Sequence, residues 1–215
     1  MKRPMLFASA LAVVAAGAAV VSLGGQEASA ASTAPVVGQP APNFRLADMN
    51  GKPVTLADYR GKTVVLEWHN PGCPFVQKHY TSGNMQKAQA AATRDGAVWL
   101  SINSGAPGKQ GHMDSAAAKQ LVGKVGAKPT AYLLDPKGVV GKVYDAKTTP
   151  HMYVIDAKGT LVYAGGIDDK PTANPADVAG ARNHVLAALD EIKAGKKVSV
   201  ATSRPYGCSV KYSDS

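Results

Sequence analysis

Residues 63–76 read Thr63-Val64-Val65-Leu66-Glu67-Trp68-His69-Asn70-Pro71-Gly72-Cys73-Pro74-Phe75-Val76. The β-branched opening has the composition of a buried strand, and sequence able to form a helix begins behind Pro74. Cys73 therefore stands where a strand ends and a helix starts. Proline suits the first helical position because its missing N–H would have no intrahelical partner there. The free N–H groups and positive dipole end of such a turn favour an anion, and a thiolate is an anion. Lys78 and His79, one turn further on, are expected to add positive potential. The alternative for Cys73 is a buried structural thiol, since free cysteine often behaves as a small hydrophobe.

Outward from this stretch, the chain has 215 residues, a formal charge of +9 and two cysteines, Cys73 and Cys208. Lys2 and Arg3, the apolar run from Met5 to Leu23 and the small residues Ala28-Ser29-Ala30 form the pattern of a cleaved secretory signal peptide over 1–30. An uncleaved anchor is the rival reading, but the alanine and glycine content makes that run a weak span. Export to the periplasm or another extracytoplasmic space follows, with no stable membrane association after cleavage. Residues 31–36 read as a flexible lead-in, 37–195 as one domain and 196–215 as a polar tail carrying Cys208. Without Lys2, Arg3 and Glu27 the rest of the chain has 22 basic and 14 acidic residues, a formal +8. Those lysines are dispersed and no aromatics alternate with them, which excludes a nucleic-acid groove. An oxidising compartment permits two cysteines to pair, but two are too few for a disulfide scaffold.

Along the chain, Phe44 and Leu46 alternate with polar neighbours, Asn50-Gly51 is a hairpin turn, and Val54 and Leu56 belong to the return strand. After Cys73 the helical sequence breaks at Ser82-Gly83, and Asn84 is expected to cap a second segment to Thr93. Ala97 to Ile102 is another apolar strand, so strand, helix and strand form a parallel, buried βαβ unit. A loop over 103–113, a helix from Asp114 to about Val122 and a strand at Tyr132-Leu133-Leu134 follow. Val139 to Tyr144 fits a strand or a short helix equally well. His151 to Ile155 and Thr160 to Ala164 form a hairpin around Asp156-Ala157-Lys158-Gly159. Val178, Ala181, Val185, Leu189 and Ile192 recur at helical spacing, which predicts one last helix from Pro175 or Ala176 to Ala194.

Cys73 has no local partner, because the place three residues on holds Val76. Its resolving thiol must be Cys208, another protein or a small thiol. Cys208 lies 13 residues beyond Gly195, and at about 3.3 Å per residue the tail spans roughly 40 Å. The pair is read as a nucleophile with its resolving thiol, as a static staple, or as two unrelated thiols. A staple across so long a loop would stabilise by roughly 4–5 kcal/mol in the chain-entropy picture. The five histidines form no metal clip with the cysteines, so no metal and no other cofactor is expected. Asp168-Asp169 reads as a solvated loop. Thr149-Pro150 opens a strand, and on spacing alone Pro150 is an ordinary turn proline.

Several of these pieces together resemble the redoxin branch of the thioredoxin-like superfamily, the alkyl hydroperoxide reductase and thiol-specific antioxidant group. The carrying residues are Val37-Gly38 through Ala41-Pro42-Asn43-Phe44-Arg45-Leu46, Gly51 with Val54 and Leu56, and Arg60-Gly61-Lys62 with Val64-Val65-Leu66. Pro71-Gly72-Cys73-Pro74 and Thr149-Pro150 with Val154-Ile155-Asp156 complete the set. The resemblance implies an α/β fold, a central mixed sheet flanked by helices with an N-terminal β-hairpin extension. It further implies Cys73 as the attacking thiol and a substrate groove formed by Thr149, a cis Pro150, Trp68, Asn70 and Pro74. Typical peroxiredoxins have threonine where this chain has Asn70 and proline where it has Leu66. Thioredoxin-like reductases have their second cysteine where Val76 stands. The leading expectation is an exported, peroxiredoxin-like thiol oxidoreductase that reduces peroxides at Cys73, with Cys208 resolving. The alternatives are thiol–disulfide exchange with a partner protein and a non-enzymatic module, either a metal carrier or a fold with a structural disulfide. The partners implied are a peroxide or disulfide substrate and a thiol reductant protein.

Overall fold

In the computed structural model the chain is described at Met1 and over residues 34–213, and the signal-peptide expectation lies outside the described residues. Strands β1 (Arg45–Asp48) and β2 (Pro53–Thr55) form the expected hairpin. Leu56 is not on the return strand. It opens a 3-10 turn, Leu56–Tyr59, closed by a reciprocal capping box between Thr55 and Asp58. Strand β3 (Val64–Trp68) then leads to helix α1 (Pro74–Thr81), with Cys73 as N-cap and Pro74 in the first turn. Helix α2 (Asn84–Arg94) follows, capped by Gly83 in the left-handed region rather than by Asn84. The Asn84 side chain hydrogen-bonds His79 Nδ1 at 2.8 Å, so it is occupied with the preceding helix.

Strand β4 (Val98–Asn103), helix α3 (Ser115–Val125) and strand β5 (Ala131–Leu134) come next. The ambiguous piece is a short helix, α4 (Val139–Val143). Two-residue β6 (Thr148–Thr149), β7 (His151–Ile155) and β8 (Leu161–Gly165) lead to a further change from expectation. The single last helix is a 3-10 turn, Pro175–Gly180, followed by α5 (His184–Lys193). Asn183 restarts the helix by accepting from the Leu186 N–H at 3.0 Å, a cap that the apolar spacing across Val178 and Ala181 conceals.

The seven-stranded sheet runs β2-β1-β5-β4-β3-β7-β8, with β3, β4 and β5 parallel and the outer pairs antiparallel. Because side chains alternate along a strand, β3 feeds two cores. Val64, Leu66 and Trp68 pack with Phe44, Ile102, Tyr144 and Tyr153 on one face. Val65 packs with Cys73, Val76, Met85, Trp99 and Val185 on the other. The tail is not a loose appendage. Its β9 (Cys208–Ser209) pairs antiparallel with β6, setting Cys208 opposite Thr149, and residues 34–213 belong to one compact unit. Among the described residues no helix is long and apolar enough to cross a membrane.

Candidate active site

The end of β3 and the start of α1 hold Cys73 in extended backbone geometry, fully buried. As a thiol it donates to Thr149 O at 3.0 Å, and its sulfur accepts from the Cys208 N–H at 3.4 Å. The Val76 N–H points at the sulfur without closing a cap hydrogen bond. Both cysteines are free thiols. Burial pushes the Cys73 thiol up, but the Cys208 thiol and N–H, the Val76 N–H and the Thr149 side chain, all directed at the sulfur, outweigh it, so Cys73 lies below the ordinary thiol value. Cys208 moves the other way, up to about 11, through burial, its hydrogen bond to Cys73 and repulsion by that sulfur's charge. The surroundings of Cys73 thus favour its thiolate, while burial disfavours that of Cys208.

The Thr149–Pro150 peptide is cis, and both residues are buried beside Cys73 and the tail. Pro74 is exposed at the first turn of α1. Trp68 lines no groove. It is wholly buried on the opposite sheet face, in ring contact with Tyr144 and Tyr153, and its Nε1 donates to Ser104 Oγ at 3.0 Å. The reason is strand alternation, which sends residue 68 to the face shared with 64 and 66. Asn70 is buried as a loop clamp: Oδ1 accepts from the Gly72 N–H at 2.9 Å, and Nδ2 donates to Gln110 Oε1 at 3.0 Å. Its polar ends are thus engaged within the loop.

Lys78 and His79 do not supply positive potential to Cys73. Lys78 is buried with Nζ on Lys170 O at 2.7 Å and 3.5 Å from Asp168 Oδ2. Burial lowers His79 to about 4, so it is neutral at ordinary pH. Asp168 is likewise no solvated loop residue. It is 4% exposed and accepts at Oδ1 from the Tyr206 hydroxyl at 2.5 Å, while His79 Nε2 lies 3.1 Å from that hydroxyl. No local pattern marks this cluster, since Asp168 meets Lys78 and Tyr206 only through the fold.

Glu67 is a residue that spacing alone misses. It is fully buried in mid-strand and accepts from Tyr80 OH (2.8 Å), Gln89 Nε2 (3.3 Å), Trp99 Nε1 (2.8 Å) and Ser101 Oγ (2.8 Å). Burial raises its pKa, and the four donors pull against that rise. A lone carboxylate inside an apolar strand was the signal available, because such residues are rarely buried unless partnered. His69 closes the strand, with Nδ1 2.8 Å from Tyr132 OH and burial lowering it to about 3.

Two clefts flank α1. One, of about 490 Å³, is lined by His69, Pro71, Val76, Gln77, Leu121 and Lys124. The other, of about 580 Å³, lies along the tail between Phe75, Asp168, Arg204, Tyr206 and Gly207. Among the described residues no three His, Cys, Asp or Glu side chains converge as metal ligands.

Residues 37–164 match the AhpC/TSA family model. Over 128 residues the chain is 30% identical to the thiol-disulfide oxidoreductase ResA of Geobacillus thermodenitrificans, covering 54% of this chain and 74% of that one. A hypothetical protein from Sinorhizobium meliloti superposes with a TM-score of 0.70 at 25% identity, over 86% of this chain and 98% of its own. An uncharacterized conserved protein from Geobacillus kaustophilus gives 0.68 at 26% identity, over 84% and 94%. The chain therefore belongs to the AhpC/TSA family, as a thiol-dependent oxidoreductase of thioredoxin-like fold.

Proposed function

We propose that this protein carries out thiol–disulfide exchange, with Cys73 attacking a substrate disulfide and Cys208 resolving the product. The observation that carries it is the juxtaposition of the two cysteines: the Cys208 N–H donates to Cys73 Sγ at 3.4 Å, and the pairing of β9 with β6 sets Cys208 opposite Thr149, whose carbonyl accepts from Cys73 at 3.0 Å. The Cys73 thiolate attacks one sulfur of the substrate disulfide, forms a mixed disulfide and expels the other sulfur as a thiolate. With the Cys73 charge gone, burial is the main influence still holding Cys208 up. Cys208 then loses its proton to solvent, attacks Cys73 Sγ and releases the second substrate thiolate. An external thiol protein returns the pair to the reduced state. ResA, the relative named above, is by its name a thiol-disulfide oxidoreductase, which supports exchange over the peroxide chemistry expected from the sequence. The engagement of the Asn70 side chain with Gly72 and Gln110 points the same way. The leader pattern over 1–30 supports an extracytoplasmic setting.

Trapping tests this reading. Cys208→Ser incubated with a model disulfide peptide should accumulate a mixed disulfide at Cys73, while the unaltered chain passes on to Cys73–Cys208. A Cys208→Ser chain that turns over as fast as the unaltered one would overturn it. Peroxide reduction is the second reading, favoured by the family match. Stoichiometric peroxide should then yield a Cys73 sulfenate, or the Cys73–Cys208 disulfide, in non-reducing peptide maps.

A further inference from the structure

The tail is stitched to the domain on both sides of Cys208. Upstream, the Ala164 N–H donates to Ala201 O at 3.1 Å and the Ser203 N–H to Ala164 O at 3.2 Å. Downstream, the Val210 N–H donates to Lys147 O at 3.1 Å and the Ala106 N–H to Lys211 O at 2.8 Å. Between these seams the chain turns inward at Tyr206, whose hydroxyl meets Asp168 and His79 and whose ring packs edge-on against Phe75. Lys78 Nζ lies 5.6 Å from the same ring centroid. Phe75, Lys78 and His79 all belong to α1, the helix that begins at Cys73. The phenol therefore ties the tail to the rigid element that carries the other sulfur.

Gly207 completes the arrangement. Its φ of +125° lies in a region side chains avoid, and a Cβ there would sit 2.0 Å from Thr149 O. Only glycine lets the tail come this close, and the next residue is Cys208, paired with Thr149.

We propose that Tyr206 and Gly207 form a latch that sets the Cys208 thiol against Cys73 and fixes how readily the two sulfurs pair. The latch rests on the resolving role proposed for Cys208 above. Tyr206 touches neither substrate nor sulfur in this role; it is a positioning residue acting through Cys208. Without it the short segment between the two seams samples more positions, and Cys208 behaves as a tethered thiol at lower effective concentration.

The test is the effective concentration of the Cys73–Cys208 pair, measured on the full chain by equilibration with reduced and oxidised glutathione. Tyr206→Phe keeps the ring and removes the hydroxyl, and should lower the effective concentration about tenfold, in line with loss of a hydrogen bond to a charged group. Gly207→Ala should lower it further, about a hundredfold, and it removes no side chain of the Asp168 cluster, so its result stands even where Tyr206→Phe loses the fold. A merely structural role would lower the melting temperature and leave the effective concentration unchanged within twofold. That outcome for Gly207→Ala, with the unaltered chain still forming the disulfide, overturns the latch alone. An unaltered chain that never forms a Cys73–Cys208 disulfide overturns the resolving role and the latch together.

Discussion

Glu67 and Asp168 are both buried carboxylates on the Cys73 side of the molecule, yet the protein accommodates them in opposite ways. Glu67 receives four hydrogen bonds from neutral donors on α1, α2 and β4, all parts of the central scaffold. Asp168 faces a buried cation, Lys78, takes the Tyr206 hydroxyl from the tail, and has an oxygen, Oδ2, that accepts no hydrogen bond. The first network is complete before the tail arrives; the second is completed by the tail. A satisfied neutral network fixes the framework, whereas one that borrows a donor from a distant segment fixes where that segment lies. The same kind of side chain thus serves rigidity in one place and attachment in the other.

The comparison can be broken in several ways. The largest effect should come from neither carboxylate: Cys73→Ser should lower the rate of disulfide exchange by at least about a thousandfold while urea unfolding stays within about 1 kcal/mol. A larger change in stability would mean that the sulfur is part of the framework. Glu67→Ala strands four donors and should cost about 4 kcal/mol in urea unfolding, against about 1–2 kcal/mol for Glu67→Gln, which keeps the shape. Asp168→Asn leaves Lys78 buried without its counter-charge and should cost about 3 kcal/mol, with tail amides exchanging hydrogen faster. Equal amide protection in the tail before and after Asp168→Asn would erase the distinction between the networks.

Acid should sharpen the contrast further. Burial holds His79 and His151 to about 4 and His69 to about 3, below the ordinary value of 6.5. In the unfolded chain these rings take up protons below pH 6.5, while in the folded chain His79 and His151 do so only near 4 and His69 near 3. The unfolded state therefore binds more protons in that window, and stability present above pH 6.5 is lost as pH falls toward 4. Glu67 and Asp135, both raised by burial, act in the opposite direction and offset part of the loss. Asp168 draws the His79 value upward and Lys78 pushes it down. His79→Gln should remove up to about 1.4 kcal/mol per pH unit of acid-side slope between pH 6 and 4.5, read from urea midpoints. The smallest effect expected is that of Asn70→Ala, about 1 kcal/mol from the lost Gly72 and Gln110 hydrogen bonds, with exchange rates little changed.

The sheet was legible in the sequence because its signals are local. The Val64–Leu66 run, the hairpin turns at Asn50-Gly51 and Asp156–Gly159, and the Cys73-Pro74 helix start each declare themselves within a few residues. The placement of Cys73 between a strand end and a helix start was legible for the same reason. What escaped depends on distant partners. Asp168 looked solvated because Lys78 lies 90 residues before it and Tyr206 lies 38 after it. The last helix looked continuous because apolar spacing hides a break that Gly180 permits and Asn183 ends. Trp68 enters the expected groove only through the family resemblance, and the period of the strand sends it to the other face.

The position of Cys208 also bears on how the protein is made. Cys208 follows Cys73 by 135 residues, and the cluster that holds it in place draws on α1, the loop after β8 and the tail. At about 5–20 residues per second, Cys73 emerges from a ribosome roughly 7–30 seconds before its proposed partner exists. Through that interval Cys73 lacks the Cys208 groups that favour its thiolate, so its strength as a nucleophile waits on the arrival of the tail.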